Sequence, residues 1–373
     1  MEKKSYISPL QIILVLFVTR MLFSSSYESV LNAGNGIQDL LLSIPVSFVL
    51  NFIMAIPILI LIGRHPGHDP VECAMKTAGR GVGIITAIIY FMFFILIASL
   101  TLGNYENYFT TNVIPEVQSK IIGLYMIVVC LYGMLKGIES IARFGGVVAV
   151  IYLITLLSII LTLMSYSDVA FLKPIFNKGT KLFIQGILMN YNLSYQIVIL
   201  AFLAPFIRQG GSAAKTYTIY NTFAFVVLFG LEFAIVTVLG AYGARELYPL
   251  RTLSSLSHIG FLRGLDVVDM VSWMFNAVIT VTLNGYLAAA CLLKIGLNKH
   301  RRLVTVLCCA VIFYLSTLIA KHFFGLQMAM VSAMTAVLLT LAVAVIPLIL
   351  LVVDLIKGRV VQNAQSAQDT QNS

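Results

Sequence analysis

The chain has 373 residues, of which 60% are hydrophobic and 10% charged, with a mean hydropathy of +0.96 and a net charge of +9. A soluble domain carries about 25% charged residues, so a soluble fold is excluded. The positive surplus does not mark a nucleic-acid binder, because it follows the connections between apolar segments, as in a membrane protein.

Ten membrane spans are predicted in chain order, at 9–31, 38–62, 82–111, 119–136, 142–164, 181–207, 215–242, 266–293, 303–322 and 330–356. About 20 apolar residues are enough to cross a bilayer. The longer spans imply tilt or kinking. Met1-Glu2-Lys3-Lys4 runs into the first span without an A-x-A-like site, so no removed signal peptide is expected. Neither a CaaX ending nor a myristoylation motif is present. With the N-terminus in the cytoplasm, fifteen Lys and Arg fall inside and eight outside, with Arg20 within span one completing the 24. That bias puts both termini in the cytoplasm. Residues 63–80, 165–180 and 243–265 are long enough for surface helices, and Thr252–Leu262 reads as interfacial. The permease-type membrane domain is expected over 1–357, and a polar, disordered cytoplasmic tail over 358–373.

Two spans are interrupted. Span one reads Arg20-Met21-Leu22-Phe23-Ser24-Ser25-Ser26-Tyr27-Glu28, and span six reads Asn190-Tyr191-Asn192-Leu193-Ser194-Tyr195. Polar, non-helical backbone at membrane depth is tolerated only in protein or beside a cavity. Breaks at matching places in two halves point to a binding site. Five spans per half force the halves into opposite orientations, which is the logic of an inverted repeat.

Arg20 lies about eleven residues into span one, near mid-membrane. It can hold a substrate carboxylate, or pair with Glu28, Glu106 or Glu232. Ser24, Ser25, Ser26 and Tyr27 either expose backbone N–H groups to a ligand or let helices pack closely. Asn190, Tyr191, Asn192, Ser194, Tyr195 and Gln196 read as the second half of a small-molecule site, or as interhelical hydrogen bonds. Asn104 and Tyr105 of span three extend the ligand-binding set. Glu106, beside them, is a candidate for gating or proton uptake, or else an interfacial carboxylate. Glu232 is a deep acid suited to a proton-coupled step. Asn276, Thr280, Thr282 and Asn284 in span eight can add oxygens for a cation or substrate, or simply pack.

No P-loop, dinucleotide fingerprint or nucleophile elbow occurs, so no enzyme and no cofactor are expected. Cys73, Cys130, Cys291, Cys308 and Cys309 lack metal-ligand spacing and read as packing residues. No metal site is expected.

Lys136-Gly137-Ile138-Glu139-Ser140-Ile141-Ala142-Arg143-Phe144, between spans four and five, resembles the hallmark G-x-E-x-I-A-R-F stretch of the spore germination permeases. Ile7-Ser8-Pro9-Leu10-Gln11, Asn112-Val113-Ile114-Pro115-Glu116 and Leu172-Lys173-Pro174-Ile175-Phe176-Asn177-Lys178-Gly179 resemble further stretches of that family. These are the B subunits of GerA-type nutrient germinant receptors. The resemblance implies an all-α, LeuT-like fold of ten helices, of the amino acid–polyamine–organocation superfamily, with helices one and six broken. It implies residence in the spore inner membrane, among membrane lipid, and sensing of a small nutrient of the amino-acid class. It implies partners, an A subunit and a lipoprotein C subunit, and no nucleic acid. Relatives of the fold often carry a glycine-rich break in span one, where this chain has Arg20-Met21-Leu22-Phe23-Ser24-Ser25-Ser26. Two rivals stay open: an amino acid transporter driven by protons or sodium, and a receptor subunit that assembles without binding ligand.

The charged hinge has its own physical reading. Lys136 and Arg143 flank a short loop, and Glu139 can pair with either, so the motif anchors two spans at one membrane face.

Overall fold

The computed structural model describes residues 6–22, 36–176, 180–208, 211–246, 248–259, 262–321 and 333–357. Ser24, Ser25, Ser26, Tyr27, Glu28 and the tail from 358 lie outside them. The described residues are almost entirely helical.

Helix α1 (Pro9–Met21) starts where its sequence tells it to. Ser8 accepts from the Gln11 N–H at 3.2 Å and the Gln11 side chain accepts from the Ser8 N–H at 3.2 Å. That reciprocal cap satisfies two end groups, and Pro9 supplies the first helical φ. Helix α2 (Ile37–Arg64) carries Pro45 and Pro57 inside it. A short surface helix, α3 (Pro70–Ala78), precedes α4 (Arg80–Asn112), α5 (Ser119–Lys136) and α6 (Ile138–Leu163).

In the second half, α7 (Thr180–Asn192) and α8 (Gln196–Leu203) are two pieces of one pass. They are followed by α9 (Ala213–Ala234), the short α10 (Pro249–Leu256), α11 (Asp266–Leu292) and α12 (Arg301–Lys321). The last helical segment begins at Ala333 and includes the apolar stretch Ala336–Lys357. Between α10 and α11, His258 pairs with Arg263 and Ile259 with Leu262 in a two-stranded antiparallel ribbon.

Eight helical segments among the described residues are long and apolar enough to cross a membrane. One of them, Asp266–Ala320, is 55 residues long and holds both α11 and α12, which part at Gly296 with φ 120°. The thirteen residues of α1 fall short of a full crossing, and the chain beyond Leu22 lies outside the described residues. These two facts separate eight segments from the ten spans expected. Span five begins earlier than expected, at Ile138, and its first turns hold a Glu139–Arg143 ion pair one turn apart. The structure therefore selects Arg143 as the partner of Glu139, while the Lys136 ammonium sits 5.1 Å from the Tyr132 ring centre.

The start of α1 and the end of the α7–α8 pass are tied together. The Ile7 N–H donates to Phe206 at 2.8 Å, and the Arg208 N–H donates to Ile7 at 3.1 Å. One membrane face carries this bridge, and ion pairs fasten it. Arg64 Nε reaches Asp354 at 2.7 Å, joining α2 to the last segment. Lys294, after α11, pairs with Asp69 and, at 2.9 Å, with Glu72 of the α3 capping box. This is called the first face below; the second face carries the end of α4 and the start of α5.

Gly79 and Gly137 each join two helices through a single residue, with φ of 93° and 89° and ψ near 170°. Only glycine adopts that backbone without strain. Replacing Gly137 by alanine is expected to cost about 1–3 kcal/mol of stability, read as a lower thermal midpoint in detergent. An unchanged midpoint would remove the hinge from the determinants of the fold.

All five cysteines are buried and unbridged. Burial, foremost, pushes the Cys73 thiol on α3 up to about 12, which leaves it protonated and unreactive at neutral pH.

Candidate functional site

The break of the sixth pass falls where the polar cluster predicts it. Helix α7 ends at Asn192, Leu193–Tyr195 form a turn, and α8 begins at Gln196. The freed groups find local partners. The Ser194 N–H donates to Tyr191 at 2.9 Å, and the Ser194 hydroxyl donates to Asn190 at 2.8 Å. From α2, the Asn51 amide donates to Ser194 Oγ at 2.7 Å. The Tyr191 hydroxyl bonds to Thr340 Oγ1 of the last segment at 3.0 Å. The break is therefore held from two sides by helices of both halves.

Arg20 faces this break. Its residue is 1% exposed, and Nη2 donates to Asn190 Oδ1 at 3.0 Å. The Asn190 amide in turn donates to Gly186 at 3.2 Å. Among the described residues Arg20 forms no ion pair, and its Nε and Nη1 have no hydrogen-bond partner. The Phe48 ring lies 5.9 Å from the guanidinium, and Tyr195 and Tyr220 are near enough to feel its charge.

Helix α11 reaches both the end of α1 and the break of the sixth pass. Trp273, Asn276, Thr280 and Asn284 recur at three- and four-residue spacing and so share one face. The Trp273 indole donates to the Leu22 carbonyl at 3.2 Å, which satisfies backbone at the end of α1. Asn284 lies beside the Tyr195 hydroxyl. Thr280 and Asn284 spend their donors on their own helix, at 2.8 Å each.

What distinguishes this region is unspent hydrogen-bonding capacity. Among the described residues, both amide atoms of Gln196 and Asn276 are buried without a hydrogen-bond partner, and the Tyr195 hydroxyl and Asn284 Oδ1, which lie beside each other, bond to nothing else. Each such group costs about 1–3 kcal/mol unless water or a ligand satisfies it. With the two Arg20 donors, they form a set of charge-assisted donor, neutral donors and acceptors around the end of α1 and the break of the sixth pass.

Of the residues predicted from sequence, Arg20, Tyr195 and the helix-bound Asn276 belong to this set, and Asn190 holds Arg20 in place. Tyr191, Asn192 and Ser194 form the break itself; Asn192 is buried and partnered. Asn104 is buried on α4. Tyr105 stacks on Trp273, with ring centres 6.1 Å apart and planes 7° apart. It belongs to an aromatic layer beside the end of α1.

Glu106 stands elsewhere. It is fully buried, so it is not the interfacial carboxylate that its place near the span end allows. It accepts from the Ser316 hydroxyl of α12 at 2.8 Å and presses on Gly123 of α5. Glu232 is buried on α9 and partnered, so it is not an isolated acid.

Sequence reasoning missed Asn51, Asp39 and Trp273. Asp39, in the first turn of α2, accepts from the Phe176 N–H at 2.7 Å. The signal was available for Trp273, which is the one tryptophan of the chain.

Residues 6–324 match the sequence pattern of the family described as "Spore germination protein", a permease family. The chain belongs to the spore germination permeases. A curated relative, spore germination protein XB of Bacillus anthracis, is 20% identical over 259 residues, covering 69% of this chain and 72% of the relative. Three solved structures share the fold. The crystal structure of MhsT in complex with L-phenylalanine has a TM-score of 0.64 at 13% identity, covering 95% of this permease and 99% of MhsT. Mhp1, a nucleobase-cation-symport-1 transporter in a closed conformation with bromovinylhydantoin bound, has a TM-score of 0.58 at 11% identity, covering 90% and 78%. A substrate-bound, outward-open Na+-coupled sialic acid symporter has a TM-score of 0.58 at 11% identity, covering 93% and 90%. This germination permease thus has the LeuT-like fold, and the α7–α8 pass is its broken sixth helix. It is a permease-like, multi-pass membrane protein.

Proposed function

We propose that this chain is the membrane subunit of a spore nutrient germinant receptor, and that it binds one small nutrient of the amino-acid class at mid-membrane. The observation that carries this reading is the set of buried, unpartnered donors and acceptors around the break at Leu193–Tyr195. In this reading the Arg20 donors hold the nutrient carboxylate through charge-assisted hydrogen bonds. Tyr195, Gln196, Asn276 and Asn284 meet its polar groups, and Ser24, Ser25, Ser26 and Tyr27 complete the span-one side. The L-phenylalanine bound in the MhsT structure supports the amino-acid class.

The nutrient must bind one of two conformations more tightly, since only differential affinity shifts an equilibrium. The A and C subunits read that shift. The chain resides in the spore inner membrane with the first face cytoplasmic, and Glu232 links the change to protonation. Residues 1–357 form the permease-type domain, with the tail from 358 outside it.

The test is germination of spores that carry Asn192→Leu in this chain, against single nutrients. The response to one nutrient is expected to fall at least about tenfold in sensitivity, as losing 1.4 kcal/mol of binding would produce, with normal amounts of the protein in the membrane. An unchanged dose–response would remove the sixth helix from the site. The fold of the neighbours favours one rival, an ion-coupled amino acid transporter. Counterflow uptake into liposomes by the purified chain would establish that rival. A ligand-free assembly subunit would show no thermal stabilisation by any nutrient.

A further inference from the structure

A second polar site lies on the second face, away from the helix breaks. A cavity of about 260 Å³ opens between the end of α4, the α10 segment and the start of α11. Glu246 and Asp266 line it, with Tyr248, Arg251 and Asn112. Asp269 follows Asp266 by one helical turn; it is 5% exposed, and its Oδ1 has no partner among the described residues.

Three features define what this cavity accepts. Its carboxylates outnumber its cation. Arg251 is already committed, because it bonds to Asn112 Oδ1 and, at 3.3 Å, to the Asn112 carbonyl. Tyr248 is on the lining, its residue is 7% exposed, and its hydroxyl has no partner among the described residues. Behind Tyr248 stand aromatic faces. Tyr108 meets it edge-on at 4.8 Å, and Trp273 lies 4.4 Å from Tyr108. The charges of Asp269, Arg251 and Asp266 all act on the Tyr108 hydroxyl, so they converge on this floor.

Carboxylates beside aromatic faces and a free hydroxyl suit an organic ammonium group. A chelated metal ion fits less well, because no cluster of three His, Cys, Asp or Glu converges among the described residues. We propose that this cavity is a binding site for a small organic ammonium ligand, held by Asp266 and Glu246 and capped by the Tyr248 hydroxyl. The site does not depend on the mid-membrane nutrient reading. The ligand is either a simple amine or the ammonium end of an amino acid. The ring contacts continue from Tyr248 through Tyr108 and Trp273 to the Leu22 carbonyl at the end of α1. Occupancy of the cavity therefore bears on the helix that carries Arg20.

Trp273 is the one tryptophan of the chain, so its fluorescence reports on the ring contacts behind Tyr248. The full chain, purified in detergent, is titrated with ethylammonium chloride at constant ionic strength, and separately with L-alanine. A saturable change in emission is expected with ethylammonium. The double substitution Asp266→Asn, Glu246→Gln should raise the apparent Kd at least about tenfold, as losing charged hydrogen-bond partners does. Tyr248→Phe should raise it by a smaller factor. Tighter binding of L-alanine would assign the site to amino acids, and tighter binding of ethylammonium to simple amines; both support it. No saturable change in the native chain overturns the proposal. So does a change that survives the double substitution, or one that Asn192→Leu abolishes, which would place the ammonium at mid-membrane and leave the nutrient reading standing.

Discussion

Replacing Arg20 by methionine is expected to abolish the nutrient response while leaving the protein as stable as before. The two effects have different origins. Nε and Nη1 are buried donors with no acceptor among the described residues, so in the proposed site they meet a ligand carboxylate. Hydrogen bonds to a charged group contribute about 1.5–3 kcal/mol each, so losing even one weakens binding roughly 10- to 150-fold. Stability follows another balance. A guanidinium at mid-membrane costs at least about 2.5 kcal/mol, and exchanging buried charge for an apolar side chain is often neutral or stabilising. Against that gain, Asn190 Oδ1 loses its donor, at about 1–3 kcal/mol. The amide nitrogen of Asn190 keeps its bond to Gly186, so the side chain is not set loose. The opposing terms are of similar size. Thermal unfolding of the purified variant, beside spore germination in the same background, measures both. Lost response with retained stability is expected. A normal response would make Arg20 a structural cation for the sixth helix and nothing more.

Most of the fold was legible because a membrane reduces the choices. Lipid forces backbone groups to be satisfied within a helix, so hydropathy and length place the passes. The break in the sixth helix was legible for the same reason: Asn190 to Tyr195 is too polar for an uninterrupted lipid-facing helix. Its partners were not. Asn51 reaches Ser194 from 143 positions away, and nothing in a single asparagine within an apolar span announces its partner. Glu106 shows the limit most plainly. One turn from the span end, it reads as a carboxylate that can reach water. The packing of α4 against α5 and α12 instead seals it at 0% exposure, a property of three helices that no local pattern encodes. Trp273 stacks with Tyr105, but its functional meaning lies in the Leu22 carbonyl it satisfies on another helix. The charged hinge was readable down to its candidates, since Lys136, Glu139 and Arg143 are sequence neighbours. Helical spacing then favours Arg143, four residues from Glu139.

The sealed position of Glu106 leads to the second large effect, at Gly123. A methyl group added to Gly123 would stand 2.1 Å from Glu106 Oε1 and 2.7 Å from its Cδ. The carboxylate cannot simply swing away, because it is buried and Oε1 accepts from Ser316 at 2.8 Å. Gly123→Ala should therefore cost about 1–3 kcal/mol, the range for overpacking a close-packed contact. Adding Glu106→Ala should return most of that loss. The second change removes the clashing atoms and also deletes Oε2, which is buried without a partner among the described residues. Ser316 has an alternative acceptor, the Phe313 carbonyl at 2.9 Å, so it is not stranded. The pair should thus show a coupling of at least about 1 kcal/mol in a double-mutant cycle of thermal stabilities. Additive losses would refute the contact. The same Glu106→Ala variant separates two roles for the acid. As a packing residue of α4, α5 and α12, Glu106 can be removed with the nutrient response and its pH dependence preserved, which is the outcome expected from its distance in contacts from Arg20 and the sixth-helix break. A shifted pH dependence would instead give Glu106 a part in proton coupling, transmitted through α4 and the aromatic layer above α1.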